Sequence, residues 1–393
     1  MPKVEVLEVK PIIEHNVITK KEGCYFPESH YKHIIKSNAD VYGILEDGSR
    51  CLLIKFRKNV IPKNICIDAF KALEAHSKHK NYNRGAAAGK LQLSKLPKYV
   101  GKVTKRESFR VFYKTQRGRK NKDNIGNMAM SNIAGYYDKP DRNAYSVNSN
   151  SKHKNSKENS KENSKENSKE NSKENSKENS KENIKKNKKQ TKKQTSKQSK
   201  KQQQLKNEGY DIHGNQLCRT TQFTKEEVNK WASTVPFIQY ADKMFKKLIP
   251  DRHTIQLARA NKTPQYQIKG TAYSTITLNY DWRTACHMDK GDLEEGFGNL
   301  LVLEKAKSGF PECKGYEGGY LGFPRWGVAV DVRQGDFLAM DVHEWHCNTE
   351  LKSIGSHSKN SKNNSTNNNN DFGRLSVVCY LRKGMLKCSK IMN

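Results

Sequence analysis

Acidic side chains are scarce in this 393-residue chain: 41 Asp and Glu stand against 73 Lys and Arg, a formal net charge of +32. Paired cysteines are missing as well. The nine cysteines are scattered, with no C-x-x-C among them, so the spacing indicates neither a structural zinc site nor a disulfide framework. No apolar run approaches the ~20 residues needed to cross a bilayer, and the opening MPKVEVLEVK lacks the apolar stretch of a secretory signal. These absences predict an intracellular protein, nuclear or cytoplasmic, that is not secreted and has no membrane partner. Apolar residues make up only 34% of the chain, which leaves one large core of roughly 300 residues and a remainder too polar to offset its ordering entropy.

That polar remainder is easily located. The tetrapeptide SKEN repeats seven times from Ser156 to Asn183 and offers no apolar position to bury. Its i,i+4 registers set Lys over Lys and Glu over Glu, which disfavours an isolated helix. Ten lysines and no acid follow between Lys185 and Lys206. A disordered insert is expected over 146–208, serving as an import signal, as a nucleic-acid tether, or simply as a solvated loop expansion. Within it, 151–207 carries 19 Lys against 7 Glu, so it supplies +12 and leaves +20 on the rest. A basic fold points to a polyanionic partner, DNA or alternatively RNA, with mere solubility as the competing explanation.

Before the insert, 51-CLLIKFRKNVI-61 has the texture of a strand, and 65-ICIDAFKALEAHSK-78 has helical spacing at Ile67, Phe70 and Leu73. After it, 225–249 reads as helical segments broken near Pro236, with Thr224 as N-cap and Glu227 completing a capping box. From about 270 the chain becomes strand-like, with short pieces at 271–281, 299–305, 327–332, 336–342 and 374–381 between glycine-rich turns. This spacing predicts an α+β, mainly β fold whose core is a sandwich or barrel of antiparallel strands. A second polar run, 355–371, is expected to be a loop.

The chemistry is expected at 284-TACHMDKGD-292. Residues two apart on a strand share a face, so His287 and Asp289 can approach one ion. A second imidazole would complete the 2-His-1-carboxylate facial triad of non-haem Fe(II) oxygenases. The stretch 335-GDFLAMDVHEWHCNTE-350 offers His346, preferred because it lies past the strand's end, and His343 as the alternative. A 2-oxoglutarate co-substrate also needs a cation for its far carboxylate, and arginine's planar fork suits that. Arg374 opens the last strand with Ser376 on the same face, and removing 355–371 brings it within a short step of His346.

The runs 275-TITLNYDWRTACHMDKGD-292, 315-GYEGGYLGFPRWGVAVDVRQGDFLAMDVHEWHCNT-349 and 374-RLSVVCYLR-382 resemble the TET/JBP family of Fe(II)/2-oxoglutarate-dependent dioxygenases, over about 270–383. Weaker echoes occur in 83-NRGAAAG-89 and 131-SNIAGYYD-138. The resemblance implies a double-stranded β-helix (jelly roll, cupin-like) with flanking helices. Residues 1–145 would then be the N-terminal part of the oxygenase fold and 209–393 its catalytic core. It implies iron on His287, Asp289 and His346, with 2-oxoglutarate and O2 as co-substrates. Arg374, Ser376 and Asn279 would hold 2-oxoglutarate, and Asn348 would line the pocket. Arg84 and Asp292 are further candidates for substrate contact, against plain turn roles. The implied reaction is oxidation of the methyl group of 5-methylcytosine or thymine in DNA, the base being flipped into the pocket. Hydroxylation of a protein side chain or small metabolite is one alternative; a non-catalytic nucleic-acid-binding module is another. Trp326 and Trp345 could stack on a base or pack in a core, and Cys286 and Cys347, beside the proposed ligands, are expected to be small fillers. A monomer without structural zinc is expected.

Overall fold

A computed structural model describes residues 3–114, 123–141, 200–211, 213–305, 307, 315–354 and 372–388. Of the expected insert, 146–199 lies outside the described residues and 200–208 is helical; the expected loop 355–371 lies wholly outside them. The chain divides into two compact units, one of Met1–Asp138 and Thr220–Leu386, the other of Lys139–Arg219 and Lys387–Ser389.

The fold is built on strands. In chain order they are β1 (Glu5–Val9), β2 (His33–Ile35), β3 (Ala39–Ile44), β4 (Arg50–Arg57), β5 (Val103–Arg106), β6 (Val111–Tyr113), β7 (Asp123–Ile125) and β8 (Ser131–Pro140). There follow β9 (Cys218–Thr220), β10 (Thr275–Tyr280), β11 (Gly298–Glu304), β12 (Tyr316–Gly318), β13 (Leu321–Phe323) and β14 (Val328–Val330). The last four are β15 (Phe337–Met340), β16 (Cys347–Asn348), β17 (Leu351–Ser353) and β18 (Arg374–Tyr380). Eight of them lie side by side in one large sheet, in the order β1-β3-β4-β15-β11-β18-β10-β8. A smaller sheet has the order β16-β13-β14-β2.

Period-two alternation decides what each face of the large sheet meets. Ile276, Leu278 and Tyr280 of β10, with Leu375, Val377 and Cys379 of β18, enter a core covered by helices α1 (Lys63–Ser77) and α2 (Val228–Leu248). Helix α1 buries Cys66, Ala69, Phe70 and Leu73, and α2 buries Phe237, Ile238, Ala241 and Phe245, both at helical spacing. The opposite face sends Leu300, Val302, Leu338, Met340 and Val378 against Leu321, Phe323, Val328 and Val330 of the smaller sheet. The result is a mainly β architecture of mixed sheets with a few covering helices.

Two local expectations are corrected. Helix α2 runs unbroken through Pro236; proline removes one i→i−4 hydrogen bond, at Ala232, and the burial of Phe237, Ile238 and Phe245 holds the helix across that gap. The interruption falls earlier, at Glu227, which separates α2 from the short helix Gln222–Glu226. The N-cap of that short helix is Thr221, not Thr224: Thr221 Oγ1 accepts from the Thr224 N–H at 3.4 Å. Thr224 instead turns its own hydroxyl oxygen to the Gly135 N–H at 2.8 Å. The Gly335-Asp336 turn does launch β15. Gly335 sits at φ +86°, and the buried Asp336 carboxylate accepts from the N–H groups of Asn59 and Arg333 at 3.0 and 2.9 Å.

In the second unit, Asp211 closes a turn by accepting from the N–H groups of His213 and Asn215 at 2.9 and 2.8 Å. Cys218 and Cys388 form a disulfide there, across 170 residues of sequence. Spacing along the chain carries no signal for a bridge between residues so far apart, so the lack of a disulfide framework in the sequence does not foretell this single pair.

Candidate metal centre

The end of β10 leads directly into the site. Asp281 adopts φ +45° and clamps the start of β18. Its Oδ1 and Oδ2 accept from the N–H groups of Arg374 and Gly373 at 2.8 and 3.1 Å, while its own N–H donates to the Arg374 carbonyl at 2.8 Å. Beyond this clamp the chain crosses to the smaller sheet, where the Asn348 N–H donates to the Thr284 carbonyl at 3.0 Å. His287 then pairs antiparallel with His346, each N–H donating to the other's carbonyl at 3.0 Å.

This pairing brings the two imidazoles together, with ring centroids 4.4 Å apart. His287 Nδ1 faces the Ala285 carbonyl at 2.7 Å and His346 Nδ1 faces the Glu344 carbonyl at 2.9 Å. Both rings are thereby tied by Nδ1 and present Nε2 as the free donor, as metal-binding histidines do. The two Nε2 atoms lie 3.7 and 3.6 Å from Asp289 Oδ1 and Oδ2. Among the described residues, His287, Asp289 and His346 form the one His/Cys/Asp/Glu group suited to a metal, its ligand atoms all within 4.8 Å of one another. Burial and the neighbouring His346 lower the His287 pKa to about 4, so His287 is neutral and ready to coordinate. Burial opposes charge on Asp289 and His346 as well, but their mutual contact outweighs it, lowering the first and raising the second. A neutral imidazole and an ionised carboxylate fit a divalent iron. His343 stands apart from this group, its Nδ1 3.6 Å from Asp341.

A cavity of about 230 Å³ opens over the triad. Arg84, Asn279, Asp292, Asn348 and Ser376 all line it. Asn279 is held by its neighbours: its Oδ1 accepts from Ser131 Oγ at 2.5 Å and its Nδ2 donates to Ser376 Oγ at 3.4 Å. Asn348 spends its Oδ1 on the Thr284 hydroxyl at 2.6 Å. Arg374 shares the β18 face of Ser376. It is 2% exposed, and its Nε and Nη2 have no hydrogen-bond partner. A buried guanidinium with unpaired N–H groups is suited to an anion such as a carboxylate, although Arg374 is not itself among the residues that line the cavity. Gly319, at φ +67°, leaves the room: a Cβ there would lie 3.3 Å from Arg374 Nε and 2.6 Å from Leu351.

Asp292 is buried, with Oδ2 unpartnered. Burial first, and the nearby Asp289 charge second, push its carboxyl well above the usual carboxylate range, against the pull of Arg382 and Arg84. A carboxyl kept neutral in a cavity can donate a hydrogen bond as well as accept one. Arg84 also presents a buried, unpartnered Nε. Trp326 and Trp345 are each 1% exposed and belong to the cores, not to the cavity. Cys286 and Cys347 are buried. Burial pushes the Cys347 thiol up to about 11, so it stays protonated. Sequence reasoning overlooked Thr277, Tyr380 and Arg382, which also line the cavity. Period two carried forward from Ser376 reaches Tyr380 and Arg382, and carried back from Asn279 reaches Thr277.

Comparison with known proteins finds relatives for the part of the chain that carries these residues. Residues 207–383 match the Tet_JBP family model, the oxygenase domain of the 2OGFeDO superfamily. The chain is 34% identical over 169 residues to the bifunctional helicase and thymine dioxygenase JBP2 of Leishmania infantum, a match covering 43% of this chain and 13% of that protein. It is 34% identical over 179 residues to the thymine dioxygenase JBP1 of Trypanosoma brucei brucei, covering 45% of this chain and 19% of that protein. The chain thus spans less than a fifth of these curated relatives. A solved structure of NgTET1 in complex with 5mC DNA aligns over 91% of this chain and 80% of its own, with 12% identity and a TM-score of 0.40. Over residues 207–383 the chain is thus similar to the Tet/JBP oxygenase domain of the 2OGFeDO superfamily.

Proposed function

We propose that the protein is an Fe(II)/2-oxoglutarate-dependent dioxygenase that oxidises the methyl group of thymine or 5-methylcytosine in DNA, on a double-stranded β-helix formed by the two facing sheets. The observation that carries this reading is the His287–Asp289–His346 group under a cavity that Asn279 and Ser376 also line, with Arg374 two residues before Ser376 on β18, buried and with Nε and Nη2 unpartnered. When bound, the iron and 2-oxoglutarate supply oxidation of an inert C–H bond by O2, with succinate and CO2 as co-products.

Each protein residue then has its own task. His287 and His346, tied through Nδ1, and Asp289 would hold iron on one side and leave the cavity side free. Arg374 would pair the far carboxylate of 2-oxoglutarate in two hydrogen bonds, beside Ser376 and Asn279. Ser131 keeps the Asn279 amide in one orientation by donating to its Oδ1. Arg84, Asp292 and Asn348 surround the remaining space, where a flipped pyrimidine would lie. The curated relatives are named thymine dioxygenases, which supports a DNA pyrimidine as substrate.

The test is nucleoside mass spectrometry. Duplex DNA containing thymine and 5-methylcytosine is incubated with the protein, Fe(II), 2-oxoglutarate and ascorbate, in parallel with a peptide library. A hydroxymethylated pyrimidine supports the reading. Succinate release stimulated by peptide, with no oxidised base, would sink it in favour of a protein hydroxylase.

A further inference from the structure

The geometry points to a duplex-binding ribbon: β5, β6 and β7, with the segment that leads into them, grip the phosphate backbone of double-stranded DNA beside the cavity rim. This inference rests on the DNA reading above and adds to it where the grip lies, in a part of the chain outside the matched residues 207–383.

Charge supplies the first argument. Residues 75–114 hold eleven Lys and Arg and a single acid, Glu107. Along the ribbon and its approach, Lys98, Lys102, Lys105, Arg106, Arg110 and Lys114 are all exposed. Such a density of one sign on a short surface segment is costly without a polyanion to meet it.

Shape supplies the second. The three strands pair antiparallel, Lys105 opposite Phe112 and Arg106 opposite Val111. Alternation turns Val111, Tyr113 and Ile125 inward, where they form a small core with Leu91. Phe112 faces outward between two cations, with Lys105 Nζ 5.5 Å and Arg110 Cζ 5.2 Å from its ring centroid. Glu107 accepts from both, at 2.8 and 2.7 Å, which fixes their heads and offsets only one of the two charges. Tyr99, 56% exposed, adds an aromatic ring to the same segment.

Attachment supplies the third. Arg84, Ala86 and Ala87 line the cavity, and the Ala285 N–H donates to the Ala87 carbonyl at 2.9 Å. Asn127 Nδ2 lies against three successive carbonyls, Ala88, Gly89 and Lys90, at 3.0, 3.2 and 2.9 Å. The Leu91 N–H donates to the Ser108 carbonyl at 3.0 Å, and the Gly126 N–H to the Tyr82 carbonyl at 2.8 Å. The ribbon and the cavity rim therefore share one hydrogen-bonded frame, so a duplex held on the ribbon is held in register with the cavity.

The test uses the full chain. One variant removes four charges (Lys102→Gln, Lys105→Gln, Arg106→Gln, Arg110→Gln); its counterpart keeps them (Lys102→Arg, Lys105→Arg, Arg106→Lys, Arg110→Lys). Fluorescence anisotropy on a duplex of about 20 base pairs, across salt, reads affinity and the number of phosphates neutralised. The glutamine variant should bind about tenfold or more weaker, with a log K against log salt slope shallower by roughly 2–4. The counterpart should match the parent, and both should keep the parent's melting temperature. Unchanged affinity and slope in the glutamine variant overturn the ribbon, as does an equal loss in the charge-retaining variant. Ribbon-dependent binding to phosphatidylserine vesicles but not to duplex overturns it in favour of a membrane. A parent that binds duplex through the ribbon yet yields no oxidised base overturns the reaction and leaves the ribbon standing.

Discussion

His287 and His346 are backbone partners as well as side-chain neighbours: each N–H donates to the other's carbonyl at 3.0 Å. The backbones of two residues 59 positions apart in sequence are thus paired by main-chain hydrogen bonds, and each ring is then set by its own Nδ1 contact with a carbonyl. Removing either ring should leave the fold intact and empty the site. We expect His287→Ala and His346→Ala each to weaken binding of Fe(II), or of Co(II) as an optical stand-in, by about two orders of magnitude. His343→Ala should leave it within about twofold, because His343 sits with Asp341 and not with Asp289. Metal titration with a parallel thermal melt separates the two results. Retention of metal by His346→Ala, with loss in His343→Ala, would reverse the assignment.

Arg374 makes the second prediction. A guanidinium that is 2% exposed with Nε and Nη2 unpaired is poised for a planar anion, and a lysine cannot reproduce its fork. Arg374→Lys should therefore raise the dissociation constant for 2-oxoglutarate by about 10–100-fold, while metal affinity holds. Calorimetry on the Co(II)-loaded protein measures both. Equal affinity in the lysine variant would show that the arginine does not contact the co-substrate.

How much of this could be read in advance follows from how local each feature is. His287 and Asp289 were legible as a pair by their spacing, although the expected strand is absent: β10 ends at Tyr280, His287 makes only an isolated bridge to His346, and Asp289 lies outside the strands. Ser376 near Arg374 was legible because both lie on β18, where i and i+2 share a face. His346 was legible from its place past the end of a strand, and the step from it to Arg374 required only that the polar run 355–371 be set aside. Asp281, which clamps β18, was not legible, because its role depends on a positive φ and on a strand about 90 residues away. Thr224 misled because Thr221 is an equally good cap and Gly135 claimed the Thr224 hydroxyl. Pro236 misled because tertiary burial of α2 overrode a local penalty. The Cys218–Cys388 bridge is a contact across 170 residues, and no local signal encodes it.

Asp281 carries the third prediction. Its carboxylate accepts two N–H bonds at the start of β18, and its backbone sits at φ +45°. Asparagine tolerates that region and keeps an acceptor, whereas alanine loses both bonds and meets the left-handed penalty. Asp281→Ala should cost about 2 kcal/mol or more in denaturant unfolding, and Asp281→Asn clearly less. Because the clamp positions Arg374, Asp281→Ala should also weaken 2-oxoglutarate binding. A destabilised protein with unaltered 2-oxoglutarate affinity would confine Asp281 to a purely structural role.

His76 gives the fourth, a dependence on pH. Its ring stacks on Phe223 with centroids 4.5 Å apart, and its Nε2 faces the Ile133 carbonyl at 3.1 Å. Burial lowers its pKa below the ordinary 6.5, with that carbonyl pulling the other way. The unfolded chain therefore takes up a proton at higher pH than the folded one. The contribution of His76 to stability is fully present above pH 6.5 and is lost as pH falls through its depressed folded pKa. His76→Gln does not titrate, so the gap in melting temperature between parent and variant should be wider at pH 8 than at pH 5. Parent and variant melting curves at the two pH values decide the matter. A gap that stays constant, or that widens toward acid, would mean that the folded protein binds a proton at His76 as readily as the unfolded chain does.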